Sequence, residues 1–519
     1  MTGRIRWCSV SAAALLLAVS AAPYMAHGDE TVRENYEILT VRRSDLGDVY
    51  HTGFPDISAR EQGIRIRWDT RTDTDWESGE KELLLSGGSL PDAFMGSLCL
   101  TEEDIRSHPG MIVPLEDYID TCMPNLKAIL EEDPMMKELA CSSGGHIYGL
   151  PARRPCRPLI GDQMFINRSW LERLSLSMPQ TWSEFTDVLR AFRDRDANGN
   201  GDPSDEIPYG RGLTDPVMFF CLPFGITPGS DGTDLLAVRD SDVVFLPAAE
   251  AYREGIEWMH RCYVEGLIDM DLFTEDDSLR DVKLHAQTPV IGCAAGWTAD
   301  AVFGGSAGEY EDLPALAGPD GERYIASDPE HLNYSRYEFI LTGACRNPEP
   351  LLAWIDGFYT DDASVQNYYG SFGTGVVKSE DGTYTVLAPK GDISADAWAW
   401  MNSLRDYGPK YVDDSFDGKV TYEADNSDAK KLESDRSLRQ YAGEAYPNVS
   451  YTASQCDVLK QIRAPILEYA RSMTVRFVTR GLTDAEWEAY LDHLGDLGLE
   501  EFLRIHKEAY DSCMEQRNQ

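Results

Sequence analysis

Six side chains that carry oxygen atoms lie within one short stretch of this chain: Asp196, Asn198, Asn200, Asp202, Asp205 and Glu206. The first three stand at alternate positions, so a tight loop would turn them to one side, and Gly201 would allow the positive φ that reverses the chain. Asp202 would then add a backbone carbonyl. A set of oxygen donors without nitrogen or sulfur suits Ca²⁺, which takes about six to eight oxygen ligands. The stretch therefore predicts a calcium loop.

This predicted loop differs from an EF-hand and from a catalytic metal centre. The EF-hand pattern places a bidentate glutamate at the twelfth position, which here is Ile207. Paired histidines and an open coordination position, typical of catalytic zinc, are missing from the stretch. A bound ion would therefore be structural. Because Asn, Asp, Gly and Pro also form ordinary solvated turns, a loop without metal is the alternative.

A well-marked helix leads into the loop. Thr181 and Glu184 have the spacing of a capping box, which satisfies free N–H groups at a helix start. Four apolar residues follow at the spacing of one helix face: Phe185, Val188, Leu189 and Phe192. The ion would lie at the C-terminus of this helix, where the helix dipole favours positive charge.

Strands and helices alternate along much of the remaining chain, which predicts α/β lobes. Apolar and β-branched runs predict strands at 36–41, 64–68, 90–95, 146–150, 164–166, 289–295 and 337–342. Helical patterns are found at 114–121, 124–130, 169–174, 248–265, 348–359, 394–407, 451–480 and from 483 to about 513. The C-terminal third is expected to be mostly helical.

The composition excludes some classes of function. A chain of 519 residues with 42% hydrophobic residues is expected to form at least two compact units. Its net charge of -41 repels nucleic acid and anionic membrane surfaces at long range. We therefore expect no nucleic-acid partner.

The first 28 residues have the pattern of an export signal. Arg4 and Arg6 precede an apolar run that is shorter than the ~20 residues of a membrane-spanning helix, and a small-residue cleavage site follows. No lipidation site of the form Leu-x-x-Cys ends the run. The protein is thus expected outside the cytoplasm, at the cell surface or in the periplasm. Cys141 and Cys156 are a candidate disulfide, with buried free thiols as the alternative.

Several of these runs resemble bacterial extracellular solute-binding proteins. The most specific are MFINRSWLERL at 164–174, PQTWSEF at 179–185 and the loop that ends at 208. Shorter similar runs lie at 88–94, 114–118, 147–151, 347–359 and 369–375. Within this superfamily the chain is similar to the oligosaccharide-binding branch of ABC importers that includes alginate-oligosaccharide-binding proteins.

The resemblance implies a two-lobed fold of the type II periplasmic-binding-protein kind, with a hinge and a cleft between the lobes. We expect lobe 1 at 29–160 and 287–340, and lobe 2, with the loop at 196–206 and a helical C-terminal part, at 161–286 and 341–519. It also implies a structural calcium ion on the six residues named first. The family usually has two residues between the positions of Asp202 and Glu206, whereas this chain has three. A monomer that works with permease subunits is expected.

A sugar cleft needs aromatic faces that stack on sugar rings. Five aromatic residues are candidates: Trp297, Tyr334, Tyr337, Trp398 and Trp400. Trp297 ranks first because it ends a predicted buried strand, and clefts of α/β lobes lie at such strand ends. Trp398 and Trp400 would point to nearly opposite sides of a helix. The alternative for each is an ordinary core aromatic residue.

An enzymatic function has one formal motif in its favour. Residues 304–308 match the nucleophile-elbow pattern G-x-S-x-G, which requires a strand before the serine and a helix after it. Neither is predicted there, so we expect no catalytic residues. The sequence predicts a receptor that binds an oligosaccharide between two lobes and delivers it to a permease. The alternatives are a secreted carbohydrate-active hydrolase with a structural calcium, or a receptor for peptides or other polar solutes.

Overall fold

The computed structural model of this chain describes residues 34–43, 53–142, 144–227, 235–239, 241–391, 393, 395–423 and 426–517. The strands are β1 Glu34–Arg42, β2 Ile64–Thr72, β3 Ala93–Met95, β4 Leu150–Arg153, β5 Gln163–Asn167, β6 Ile207–Tyr209, β7 Leu236–Arg239, β8 Asp242–Phe245, β9 Ile291–Gly296, β10 Tyr310–Asp312, β11 Tyr334–Leu341, β12 Val376–Lys378, β13 Tyr384–Val386 and β14 Val420–Tyr422.

The helices of the first half are α1 Phe54–Glu61, α2 Asp73–Asp75, α3 Lys81–Leu85, α4 Glu102–Ser107, α5 Glu116–Cys122, α6 Pro124–Glu132, α7 Pro134–Ala140, α8 Arg168–Leu174, α9 Trp182–Asp194, α10 Pro216–Cys221 and α11 Glu250–Val264. Those of the second half are α12 Asp277–Leu284, α13 Ala299–Phe303, α14 Pro329–Asn333, α15 Pro348–Asp356, α16 Asp361–Tyr369, α17 Ala395–Asn402, α18 Ser427–Leu438, α19 Ala453–Arg480, α20 Asp484–Asp496 and α21 Leu499–Arg517.

The first lobe is built on a five-stranded sheet with the order β2-β1-β3-β11-β4. β1 runs parallel to β2 and β3, while β11 is antiparallel to β3 and β4. Alternate residues of β1 enter two different core clusters, Tyr36 and Ile38 on one face and Leu39 and Val41 on the other. Both faces of the sheet are therefore covered, as is usual for strands of an α/β lobe.

The second lobe is built on a four-stranded sheet with the order β10-β5-β9-β6. Its core also includes residues of α9, α11 and the three C-terminal helices α19 to α21. β9 consists largely of small residues because large rings press on it: a Cβ on Gly292 would lie 2.6 Å from Phe192 and 3.0 Å from Trp170. A smaller sheet, β12-β13-β14, packs with α16 around a separate cluster.

Two chain segments connect the two larger sheets, and a third segment bonds to one of them. Backbone bonds join the segments around 154–160 and 325–334, from Arg154 N to the Asn333 carbonyl at 2.8 Å and from Asp328 N to the Leu159 carbonyl at 3.0 Å. The third segment, near 441–443, joins them where Ser327 Oγ donates to the Gly443 carbonyl at 2.6 Å. We refer to these three segments as the hinge strands.

Strand pairing divides the chain differently from the lobe boundaries that we expected. β11 joins the first sheet as expected, but β9, which the boundaries assign to lobe 1, pairs with β5 and β6 in the second sheet. α15, which the boundaries assign to lobe 2, packs in the core of the first lobe. Chain order alone does not show which strands pair. The boundaries of the units that move as rigid bodies stay a prediction.

Other expectations have mixed outcomes. Most predicted helices and strands are found, although β4 begins at Leu150, where the strand predicted at 146–150 ends, and α18 was not predicted. Cys141 and Cys156 are both free, so the disulfide prediction is wrong. The expected export signal at residues 1–28 lies outside the described residues. Among the helices that the structure describes, none is long and apolar enough to cross a membrane.

Candidate ligand cleft and metal loop

The predicted calcium loop follows α9 and leads into β6. Gly201 has φ +93°, the left-handed value that we expected there. Its N–H donates to Asp196 Oδ2 at 3.0 Å, while Asn198 Oδ1 accepts the N–H of Asn200 at 2.9 Å and Asn200 Oδ1 accepts that of Asp202 at 2.7 Å. Side-chain oxygens at the three alternate positions therefore fold the loop around a common interior.

Two carboxylate oxygens in this loop are buried and have no hydrogen-bond partner among the described residues: Asp196 Oδ1 and Glu206 Oε2. Burial raises the pKa of Glu206, because a charged carboxylate is poorly solvated there. Asp205 instead accepts the side-chain amides of Asn198 at 3.0 Å and Asn200 at 2.6 Å. Two unpaired inward-facing oxygens are what a bound cation would satisfy, so the donor set fits a hard metal ion in part.

Asp202 is placed differently from the other predicted ligands. Its carboxylate lies at the surface and accepts the N–H of Ser204 at 3.1 Å and its hydroxyl at 2.6 Å, which lowers the pKa of Asp202. The expected role of its backbone carbonyl as a metal ligand stays a prediction. Across the described part of the chain, no group of three or more His, Cys, Asp or Glu side chains is arranged to hold a metal ion.

Trp297 follows the last residue of β9 and is half-buried. Lys431 Nζ, from α18, lies 4.6 Å from the centroid of its ring. The next residue, Thr298, caps α13 and places its hydroxyl 3.5 Å from that of Ser427, the first residue of α18. The end of β9 therefore meets α18 at a point where one face of an indole is covered by a cation.

α18 has an unusual buried face, because that face is polar and charged. Ser427, Asp428, Lys431 and Asp435 are exposed by 6%, 2%, 0% and 0% respectively. Buried charges are costly unless each is paired, and here each has a partner. Lys431 donates to the Gly161 carbonyl, and Asp435 Oδ1 accepts two backbone amides of a hinge strand, at 2.7 and 3.0 Å.

Asp428 forms a two-pronged ion pair with Arg405, at 3.0 and 2.5 Å. The guanidinium carbon of Arg405 also lies 4.1 Å from the ring centroid of Tyr368. Burial opposes the charge of Arg405, but Asp428 and Tyr368 outweigh it, so the pKa of Arg405 is raised. This pair connects α18 to the segment that follows α17, on the opposite side from Trp297.

Trp398, on α17, is half-buried and lines a cavity of about 10 Å³ beside Arg405 and Asp428. That volume suits about one water molecule. Among the described residues its indole nitrogen has no hydrogen-bond partner. Trp297 and Trp398 are therefore the two predicted aromatic residues that lie near the N-terminal half of α18.

The other three predicted aromatic residues lie elsewhere. Tyr334 is half-buried with the Arg153 guanidinium 5.3 Å from its ring centroid. Tyr337 is only 9% exposed and belongs to a core cluster of the first lobe. Trp400 is 8% exposed and packs on Tyr407 with ring centroids 5.8 Å apart. Tyr337 and Trp400 are thus largely buried in this structure, and a ligand contact by either ring stays a prediction.

The G-x-S-x-G run is not a nucleophile elbow. It forms a short 3-10 helix at Gly304–Glu309 that follows α13, whereas the motif needs a strand before the serine. Sequence reasoning missed Arg405, Asp428 and Lys431. Arg405 and Asp428 pair across 23 positions, and Lys431 bonds to a residue 270 positions away, so these contacts cannot be read from adjacent residues. The local signal was Asn426, whose side chain caps α18.

No protein-family model matches the chain. A fructooligosaccharide ABC transporter substrate-binding protein from Streptococcus pneumoniae serotype 4, FusA, is 30% identical over 482 residues, which is 88% of this chain and 86% of FusA. The structure of FusA in complex with kestose has a TM-score of 0.81 at 28% identity and covers 93% of this chain and 100% of that chain. A FusA EF-hand mutant has also been solved in complex with fructo-nystose.

Two further structures are similar over nearly the whole chain. An HMO-binding, ABC-transporter-associated solute-binding protein from Bifidobacterium longum infantis has a TM-score of 0.79 at 25% identity, covering 93% of this chain and 99% of that chain. The alginate-binding protein AlgQ2 without calcium ion has a TM-score of 0.72 at 19% identity, covering 93% and 98%. These neighbours confirm the predicted two-lobed α/β fold.

Proposed function

Because this chain belongs to the substrate-binding proteins of oligosaccharide ABC transporters, we propose that it binds a carbohydrate between its two lobes and delivers it to a membrane permease. FusA, 30% identical, is a substrate-binding protein and not an enzyme, and the function proposed here is likewise binding without catalysis. The observation that supports the site is that Trp297 and Trp398 both lie near the N-terminal half of α18.

The arrangement supports a stacking site above buried, paired charges. Trp297 and Trp398, both half-buried, would stack on sugar faces. Arg405, Asp428 and Lys431 are already paired within the protein. They therefore lie beneath the site at little cost in reorganisation on binding. Tyr334 is a further candidate at the edge of the first lobe.

Closure about the hinge strands would bury the ligand and change the outer shape of the protein. A permease can then discriminate the closed, loaded form from the open form, because the ligand shifts the population towards the closed state. We propose further that the chain is exported, acts as a monomer, and holds a structural Ca²⁺ in the loop at 196–206. The FusA EF-hand mutant supports a metal loop in a relative.

A thermal-shift screen followed by calorimetry tests this function. The panel comprises kestose, nystose, a neutral milk tetrasaccharide, a trigalacturonate and a tripeptide, each with intact ligand verified by mass spectrometry after incubation. We expect one class of oligosaccharide to raise the melting temperature and to be recovered unchanged. Binding of the tripeptide alone would identify a receptor for another polar solute, and appearance of shorter glycans would contradict a receptor function.

A further inference from the structure

Lys431, on the buried charged face of α18, contacts the ring of Trp297. Lys431 is fully buried. Burying an ammonium group costs free energy unless the group is paired or hydrogen-bonded. Its Nζ lies 4.6 Å from the Trp297 ring centroid and donates to the Gly161 carbonyl. A single cation thus contacts both the candidate stacking residue and the chain just beyond a hinge strand.

We propose that Lys431 is a positioning residue for ligand binding, which fixes the indole of Trp297 against the hinge segment 159–161. This inference rests on the proposed function, because Trp297 must be a ligand-stacking residue for its position to matter. Lys431 does not itself touch the ligand. It covers one face of the indole, so that stacking is left to the opposite face of the half-buried ring.

The geometry supports a fixed rather than a mobile contact. Attraction between a cation and an indole face is stronger when the cation is removed from water, and Lys431 is fully buried. One helical turn further along α18, Asp435 accepts the amides of Leu159 and Ile160 at 2.7 and 3.0 Å. Both residues lie on the same face of a continuous helix, so the ring and the hinge strand are held by one rigid element.

The charges around Lys431 set a pH range in which this contact can be examined. Burial lowers the pKa of Lys431 to about 8, opposed by acidic groups on three elements. The titratable groups that face it are Asp162, Asp312, Asp435 and Cys156. A rise in pH through about 8 is therefore expected to neutralise the ammonium group at the indole face.

The first test needs no ligand. Full-length protein is labelled with 5-fluorotryptophan, and the ¹⁹F resonance that disappears in Trp297→Phe is assigned to Trp297. We expect this resonance to move with pH near 8 in the wild-type protein and to lose that movement in Lys431→Met. Lys430→Met is the matched control, because Lys430 is the neighbouring residue and pairs with Asp300 at 2.8 Å at the surface. A resonance that is the same in wild type and Lys431→Met would overturn the proposal.

The second test measures binding. The dissociation constant for kestose, or for the panel glycan that wild type binds, is expected to rise about tenfold in Lys431→Met at pH 7 and to stay unchanged in Lys430→Met. In the Trp297→Phe background the same substitution should have little further effect, because the ring to be positioned is gone. Full additivity of the two substitutions would show a merely structural role and would overturn the proposal.

Two controls keep the outcomes distinct. If Lys431→Met does not fold, Lys431→Arg retains the cation and should keep wild-type affinity, and the pH titration of wild type needs no substitution at all. A wild-type protein that binds no oligosaccharide overturns the proposed function and with it the ligand role of Lys431. A pH-dependent Trp297 resonance with normal ligand affinity in Lys431→Met overturns the positioning role alone.

Discussion

Two polar regions of this molecule, the loop at 196–206 and the buried face of α18, are built in opposite ways. In the loop, the hydrogen bonds among the predicted ligands join residues at most 8 positions apart. On α18, Lys431 bonds to a residue 270 positions away and Asp435 to one 276 positions away. The hydrogen bonds of the loop are therefore local in sequence, whereas those of the α18 face form only when distant parts of the chain have folded together.

The difference separates a scaffold element from a functional one. A loop whose hydrogen bonds are local can stabilise the second lobe whether the cleft is open or closed. A helix whose charges connect Trp297, Arg405 and a hinge strand changes its environment whenever the lobes move. We therefore expect perturbation of the loop to alter stability alone, and perturbation of α18 to alter stability and ligand affinity together.

The largest effect is expected where a charge on α18 loses its partner. Arg405→Met would leave Asp428, 2% exposed, without its ion pair, and breaking a buried pair costs about 3–5 kcal/mol. Urea unfolding should show a loss of this size. The matched control is Arg504→Met, which breaks an exposed cluster with Glu501 and Glu508 and should cost about 1 kcal/mol or less. Equal losses in the two variants would mean that α18 is no more than a surface helix.

Calcium removal is expected to have the next largest effect. At a calcium concentration about 100 times the dissociation constant, the loop would gain about 2.7 kcal/mol of stability, which EDTA would remove. Glu206→Gln should abolish this gain, because Glu206 supplies one of the two unpaired buried oxygens. Ligand affinity should be unaffected in both experiments.

The control for the loop is Asp202→Asn. The carboxylate of Asp202 faces Ser204, so this substitution leaves the backbone carbonyl available as a ligand. The calcium-dependent gain in the free energy of unfolding should therefore be retained. A melting temperature of wild type that is the same with calcium and with EDTA would show that the loop is an ordinary turn.

On the cleft side, Trp297→Ala should weaken oligosaccharide binding about 30-fold, which corresponds to about 2 kcal/mol, a typical value for a central aromatic contact. Calorimetry with the panel glycan measures the change. Trp400→Phe, in which a core ring is replaced by another ring, should leave the affinity unchanged. The reverse ranking of these two variants would place the site on the other side of α17.

The smallest expected effects are pH dependences of opposite sign in the two regions. Burial raises the pKa of Glu206 above its usual 4.5, so the folded metal-free protein binds the proton more tightly than the unfolded chain does. Its free energy of unfolding should therefore fall as the pH rises from about 4.5, relative to that of Glu206→Gln.

Burial lowers the pKa of Lys431 from 10.5 to about 8, so between these values the unfolded chain binds more protons. The free energy of unfolding should therefore rise with pH across that range. Urea titrations of wild type and Lys431→Met at pH 8 and pH 10.5 would measure it. If the free energy of unfolding changed with pH in the same direction for both residues, the burial described for one of them would be contradicted.

Sequence patterns predicted the elements whose signals are local. The capped amphipathic helix α9 and the reversal at Gly201 are confirmed because propensity, capping and periodicity agreed over adjacent residues. The resemblance of residues 164–208 to solute-binding proteins supplied the two-lobed fold, which the residue patterns alone did not specify.

The rest depended on contacts that the sequence does not display. α18 has few apolar residues, so hydrophobic periodicity could not detect it, and its buried face is recognisable only from Arg405 and the hinge strand that pair with it. Tyr337 and Trp400 resemble cleft residues by type, yet long-range packing places them in the interior. The pairing of β9 with β5 is likewise a long-range choice.

We propose that the two lobes close on an oligosaccharide stacked at Trp297. Small-angle X-ray scattering with and without a saturating glycan from the panel tests this most directly. We predict a smaller radius of gyration for wild type with glycan and no change for Trp297→Ala at the same glycan concentration. A bound glycan with an unchanged radius of gyration, or equal compaction of Trp297→Ala, would contradict the claim.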